Sequence, residues 1–169
     1  MEEILAKTQL IENYNNFSVN EVITAISMLV VLKNSYSLEI TKLLLIEPLL
    51  SYKNILKKFK LSNLKIRSIE ELMVKSDFSL INFNKRFQEK LLLSINSLFL
   101  LEQLGLIIII ENRAYYEEKN FDFQNINLGK IAMNRIKSAN KISNVLKDTP
   151  VEDLYLHLRI ELWTFILIK

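Results

Sequence analysis

Apolar positions recur at spacings of three and four residues along most of the chain, and the pattern changes once, at residues 106–110. Three-four spacing predicts amphipathic helices, whereas a short β-branched run bounded by turn residues predicts a strand. The helix before the change is KRFQEKLLLSINSLFLLEQL, with Leu91, Leu92, Ile95, Leu98, Leu101 and Leu104 as apolar positions. Gly105 follows, where a helix end favours a residue that accepts the left-handed conformation. The run LIIII then ends at Ile110. Glu111, Asn112 and Arg113 are polar, and Asn112 suits a turn. Ala114, Tyr115 and Tyr116 return to strand chemistry, and Glu117, Glu118 and Lys119 close the pair. The expectation is a mainly α chain: a helical domain with a winged-helix-like β-hairpin near residues 106–118.

The N-terminal part predicts helices throughout. Residues 2–12 form a short amphipathic candidate with Ile4, Leu5 and Leu10 on one side, broken at residues 13–17. Ser18-Val19-Asn20-Glu21 fits a capping box, in which Ser and Glu side chains satisfy backbone groups at a helix start. The helix that follows, residues 19–33, is apolar on nearly every side, so it lies either in the centre of the core or under another subunit. Residues 34–37 read as a turn, with Ser37 as cap of a helix over residues 38–46. Pro48 interrupts that helix, because it removes a donor and disfavours helix at Glu47. Residues 49–59 are helical and end in a lysine cluster whose plain reading is a solvated helix end. Residues 62–67 are a polar link. Ser68-Ile69-Glu70-Glu71 is a second capping box, opening a helix to Lys75. Residues 77–84 are an apolar segment of either type.

Beyond the hairpin, residues 121–127 are a connector anchored by Phe121 and Phe123, and residues 128–147 form a helix with small residues at Gly129, Ala132 and Ala139. Thr149-Pro150-Val151-Glu152 places Thr at a cap and Pro at the first helical position of a last helix running to Leu162. Residues 163–168 are a very apolar tail. No internal repeat or domain boundary interrupts residues 1–169. The chain reads as one domain with a helical part (1–76), a helix with a wing (83–118) and C-terminal helices (128–162).

Composition changes this picture in two respects. Half the residues are hydrophobic, while Gly and Pro occur twice each. A large core takes part of the apolar excess, and a buried interface with partner proteins is the expected sink for the rest. The net charge of +3 is too small by itself to imply a nucleic-acid binder. With no Cys there is neither a disulfide framework nor a thiolate metal site, consistent with a reducing cytoplasm. No apolar run approaches the roughly 20 residues of a membrane-spanning helix, and MEEIL lacks the basic start of a secretory signal.

The chemistry-bearing residues are sparse. Two glycines allow neither a P-loop nor a dinucleotide fingerprint. His157, the one histidine, sits between Leu156 and Leu158 and reads as a packed or surface residue rather than a catalytic one. No cofactor, metal or catalytic residue is expected. The most specific charge pattern is the run Lys130, Arg135, Lys137, Lys141 and Lys147, with no acidic residue between them. Lys130, Asn134, Lys137 and Lys141 follow the spacing of one helix face. That stripe suits phosphates or an acidic partner; the plain alternative is a solvated face in a lysine-rich chain. At the hairpin tip, Asn112 and Arg113 are the candidate contacts. One Arg beside one Glu makes a poor DNA wing and fits protein docking better.

Three stretches together resemble a family. They are NEVITAISMLVVLKNSYSLEITKLLLIEPLL, the segment FNKRFQEKLLLSINSLFLLEQLGLIIIIENRAYYEE, and the end IKSANKISNVLKDTPVEDLYLHLRIEL. Their pattern and order resemble the middle component of bacterial ABC three-component systems, the small subunit of Lamassu-type anti-phage operons, over about residues 16–162. Where that family commonly ends in a Gly-containing turn, this chain carries RIELWTFILIK. The resemblance implies a non-catalytic subunit. It would bridge the heads of an SMC/Rad50-like ATPase and a nuclease effector subunit, with DNA met through the assembled complex and no membrane or small-molecule substrate. The reading from another class is a winged-helix transcription regulator. That needs base-reading side chains on the helix before the wing, where Lys85, Arg86, Gln88, Lys90 and Gln103 flank a middle of Leu, Ile and Phe.

Overall fold

The structure, a computed structural model, describes residues 19–59, 66–76, 80–117 and 129–161. It is mainly helical, with one small three-stranded antiparallel sheet. In chain order the elements are α1 (Val19–Ser35), β1 (Ser37–Glu39), α2 (Ile40–Leu43), α3 (Ile46–Leu50), α4 (Lys53–Phe59), α5 (Ile69–Lys75), α6 (Phe83–Gln103), β2 (Ile107–Ile110), β3 (Arg113–Tyr116), α7 (Gly129–Asp148) and α8 (Val151–His157). Expectations for residues 1–18, 60–65, 77–79, 118–128 and 162–169 lie outside the described residues. They include the first amphipathic helix, the Ser18 cap, the Phe121–Phe123 anchor and the apolar tail.

Helix α1 is the centre of the core. Every residue from Thr24 to Leu32 is buried, which follows from its apolar side chains pointing in all directions. Its cover is this chain's own α6 and α7, with α3 and the sheet filling the remaining sides. Of the two covers open to such a helix, the chain's own core is the one it has. Helix α7 carries small buried residues, Ala132, Ser138, Ala139 and Ser143, and Ser143 Oγ accepts from the Asn34 side chain at the end of α1 at 3.3 Å. Buried hydroxyls here bond back along their own helices: Ser138 donates to the Asn134 carbonyl at 2.8 Å, and Ser35 to the Val31 carbonyl at 2.8 Å. This leaves few costs of unpaired polar groups in the core.

The strand order is β1-β3-β2. Helix α6 ends as its sequence predicts: Gly105 has φ 63°, its N–H donates to the Glu102 carbonyl, and the Leu106 N–H donates to the Leu101 carbonyl. These are the two bonds of the left-handed helix stop. Ile110 pairs with Arg113 across a two-residue turn. Glu111, rather than Asn112, takes the positive φ, 53°. The Asn112 carbonyl accepts from the Ile40 N–H at 2.9 Å, so the hairpin tip is held by the start of α2.

Several boundaries differ from the sequence expectations. Residues 38–46 are not one helix: Ser37–Glu39 is a strand paired with β3, in register Leu38 to Ala114. The hydrogen-bonding edge of β3 overrides helical propensity over these three residues. Pro48 does not break a helix. It lies in the first turn of α3, where a missing N–H costs nothing. Residues 49–59 divide at Ser51 and Tyr52. The α5 start is as expected, with Ser68 Oγ accepting from the Glu71 N–H at 3.2 Å. The Glu71 carboxylate reaches the Arg67 N–H, one residue before the cap. Thr149 is not a cap; its N–H closes α7 on the Val145 carbonyl, and Pro150 takes the position before α8. Helix α8 stops at His157 instead of Leu162, in the same left-handed stop as α6, with Arg159 at φ 53° in the glycine position.

The order α1, β1, α2–α3, then α6, β2 and β3, with the sheet order β1-β3-β2, is a winged-helix-like layout. Helices α4 and α5 stand as an insertion before α6, and α7 and α8 follow the wing.

Candidate functional site

In this layout α6 holds the place of a recognition helix. Its exposed residues include Lys85, Glu89, Leu92, Phe99, Glu102 and Gln103. Leu92 is 69% exposed and Phe99 54%. Asn96, between them, is turned to Glu21, donating to its carboxylate at 2.8 Å. Arg86, from the same helix, is folded back over the Tyr52 ring, 4.2 Å from its centroid. Burial pulls its guanidinium below the ordinary value, opposed by Tyr52 and Glu89. The outward surface of α6 is therefore apolar and mixed in charge, and Arg86 does not stand at its front.

The wing is built similarly. Register places Ser37, Tyr115 and Ile108 side by side on the outer sheet face, and Glu39, Arg113 and Ile110 beside them. Arg113 donates to Glu39 Oε1 at 2.9 Å and to Ser37 Oγ at 3.2 Å. Glu39 also meets Lys42 at 3.4 Å. Arg113 thus ties β3 to β1. What remains prominent is Ile108 (46% exposed) and Ile110 (56%). A strand with apolar residues on both faces suits cover on both faces. The inner residues Ile107 and Ala114 have theirs in the core.

The basic run on α7 divides in the structure. Lys130, Lys137 and Lys147 are exposed on one face with Met133, Asn140 and Asn144, while Asn134 and Lys141 are half-buried at its flank. Asn140 accepts from the Asn34 side chain at 2.7 Å, which ties this face to the end of α1. Arg135 leaves the run altogether and turns inward. Its guanidinium bonds both oxygens of Glu47, at 2.5 and 3.3 Å, and Thr24 donates to the same carboxylate at 2.8 Å. Glu47 is 2% exposed. This buried triad links α1, α3 and α7. Sequence reasoning missed it, although a lone Glu inside LLLIEPLL was a readable signal for a paired buried charge.

His157 is held by its own helix, its Nδ1–H donating to the Asp153 carbonyl at 2.7 Å, with Nε2 at 3.6 Å from Glu70. Glu70 is held below the ordinary carboxylate range, first by the Ser68 hydroxyl. His157, Arg159, Met73, Leu80 and Ile81 line a shallow cleft of about 120 Å³. Among the described residues no group of three or more acidic residues or histidines could hold a metal ion, and no helix is long and apolar enough to cross a membrane. Compared with protein-family models, curated proteins and solved structures, the chain matches none.

Proposed function

We propose that this chain is a non-catalytic docking subunit whose winged-helix-like half binds protein rather than DNA. The observation that carries this reading is the outer sheet face, where Ile108 and Ile110 stand exposed beside an Arg113 already paired with Glu39. The partners implied by the resemblance are an SMC-like ATPase and a nuclease effector, which the chain bridges in an anti-phage complex. An apolar outer face suits such a lasting assembly, because exposed apolar surface of this kind is stabilised by a permanent cover.

The rival is a DNA-binding regulator, favoured by the place of α6 beside the wing. Its outward Glu89, Leu92, Phe99 and Glu102 argue against it, since major-groove readout takes Arg, Lys, Asn or Gln at base edges. The test is co-expression with an SMC-like ATPase and a nuclease effector of the kind the resemblance implies. The wild type co-purifies with the ATPase, and the double substitution Ile108→Asp, Ile110→Asp lowers the co-purified fraction at least tenfold. Equal capture of the double variant, or tight sequence-dependent duplex binding by the chain alone, overturns the proposal.

A further inference from the structure

The cleft between α5 and α8 has features that the wing does not account for. Its apolar part is Met73 from α5 with Leu80 and Ile81 from the turn before α6, and its polar part is His157 and Arg159 from the end of α8. Val74 and Leu156, next in sequence to Met73 and His157, are 78% and 75% exposed, so both helices carry apolar surface outside the cleft as well. Arg159 is exposed, and its guanidinium has no hydrogen bond or ion pair among the described residues. Glu70 faces His157 instead, at 3.6 Å. Arg159 also holds a φ of 53° in a helix stop where glycine fits without strain. A strained non-glycine residue is a pointer to function, and the side chain retained here is an unpaired cation beside an apolar hollow.

We infer that this cleft docks an extended acidic segment of a partner protein, which inserts one Leu- or Phe-sized side chain and sets an adjacent Asp or Glu carboxylate against Arg159. Size selects the anchor. A cavity of about 150 Å³ holds one benzene ring, and sites for free small molecules run to about 300–1,000 Å³. At about 120 Å³ the cleft takes a single side chain. Charge selects its neighbour, because a guanidinium pairs with a planar carboxylate through two parallel bonds. Position separates the site from the wing. The cleft lies at the start of α6, where the Glu161 N–H donates to Asn84 Oδ1 at 3.2 Å and Phe87 packs edge-to-face on Tyr155. The wing follows the other end of the same helix. The 21 residues of α6 span about 30 Å, so two partners can be held at once without sharing surface. The inference does not depend on the docking role of the wing.

The methionines supply reporter and controls within one chain: Met73 lines the cleft, Met28 is in the core and Met133 is exposed on α7. The full chain, methyl-labelled at Met, is titrated by NMR with a short end-blocked peptide carrying Leu beside Asp. The expected result is a saturable shift of the Met73 methyl signal, with Met28 and Met133 unmoved. Exchanging the peptide's Leu for Ala lowers affinity about tenfold, the size of a lost interface anchor. Exchanging its Asp for Lys lowers affinity about threefold, as for an exposed ion pair. On the protein, Ile81→Asp, at a position 65% exposed, costs about tenfold. Arg159→Gly costs about threefold while the urea midpoint does not fall, which sets a lost contact apart from a damaged fold. Ile108→Asp with Ile110→Asp leaves the Met73 response unchanged, so failure of the wing reading and failure of this one are read separately. A Met73 signal unmoved at millimolar peptide, an equal shift at Met133, or equal affinity for the Asp and Lys peptides overturns the inference. So does an Arg159→Gly variant that binds as tightly as the wild type. Tighter binding of phenylacetate than of the peptide overturns a protein segment as the occupant.

Discussion

Replacing Arg135 by Met removes one partner of the buried triad and leaves the Glu47 carboxylate with Thr24 alone. Both side chains are well buried, at 14% and 2% exposed, so solvent screens the pair little. Breaking such a pair costs about 3–5 kcal/mol, because an uncompensated charge stays inside. That is a large share of the roughly 5–15 kcal/mol by which a domain is stable. With a urea dependence of about 2 kcal/mol per molar, the midpoint falls by roughly 2 M at unchanged slope. The double variant Glu47→Leu, Arg135→Met removes both charges and should recover most of the loss, since apolar replacements of buried pairs are often neutral or better. Circular dichroism followed through urea titration, with Glu47→Leu as the second single variant, gives all four corners of the cycle. A single variant that loses under about 1 kcal/mol, or a double variant as poor as the single one, refutes the reasoning.

Three further outcomes are expected. Arg159→Gly should stabilise the chain by about 1 kcal/mol in thermal or urea unfolding, because Arg159 holds a left-handed φ of 53° that glycine adopts without strain. Tyr155 donates to the Thr41 carbonyl at 3.1 Å, and burial pushes its phenol up to about 12. The neutral form is thus favoured by folding: its contribution is complete below pH 10 and lost as pH rises through about 12. Tyr155→Phe should flatten that alkaline loss in pH-dependent melting. Changing Lys130, Lys137 and Lys141 to Glu should reduce the salt slope of DNA binding by the assembled complex by roughly one unit per lost phosphate contact. If DNA affinity holds and a subunit dissociates, the α7 face docks protein instead; if neither changes, it is a solvated face.

Local signals were legible where a residue's role is decided within one turn of chain. Gly105, the Ser68 cap, the hairpin and the all-round apolar α1 belong to this class. The strand Ser37–Glu39 was not legible, because its structure comes from residues 113–115, far along the sequence. Glu47 and Arg135 are separated by 88 positions, and the run of cations along α7 grouped Arg135 with the lysines. Arg113 was legible as a hairpin residue but not as the partner of Glu39. Arg159 shows the opposite limit: a left-handed helix stop formed without the glycine that normally marks it.

The central position of α1 has a consequence during synthesis. The helix is complete at Ser35, but α7, which covers one side of it, begins only at Gly129, 94 residues later. At about 5–20 residues per second, about 5–20 s of translation separate the two. The sheet waits similarly, since β1 acquires its neighbour only when β3 has emerged. The most apolar helix of the fold is therefore among the first made and the last enclosed. A nascent chain in that interval presents the surface that chaperones bind, and slowing translation between residues 35 and 129 lengthens its exposure.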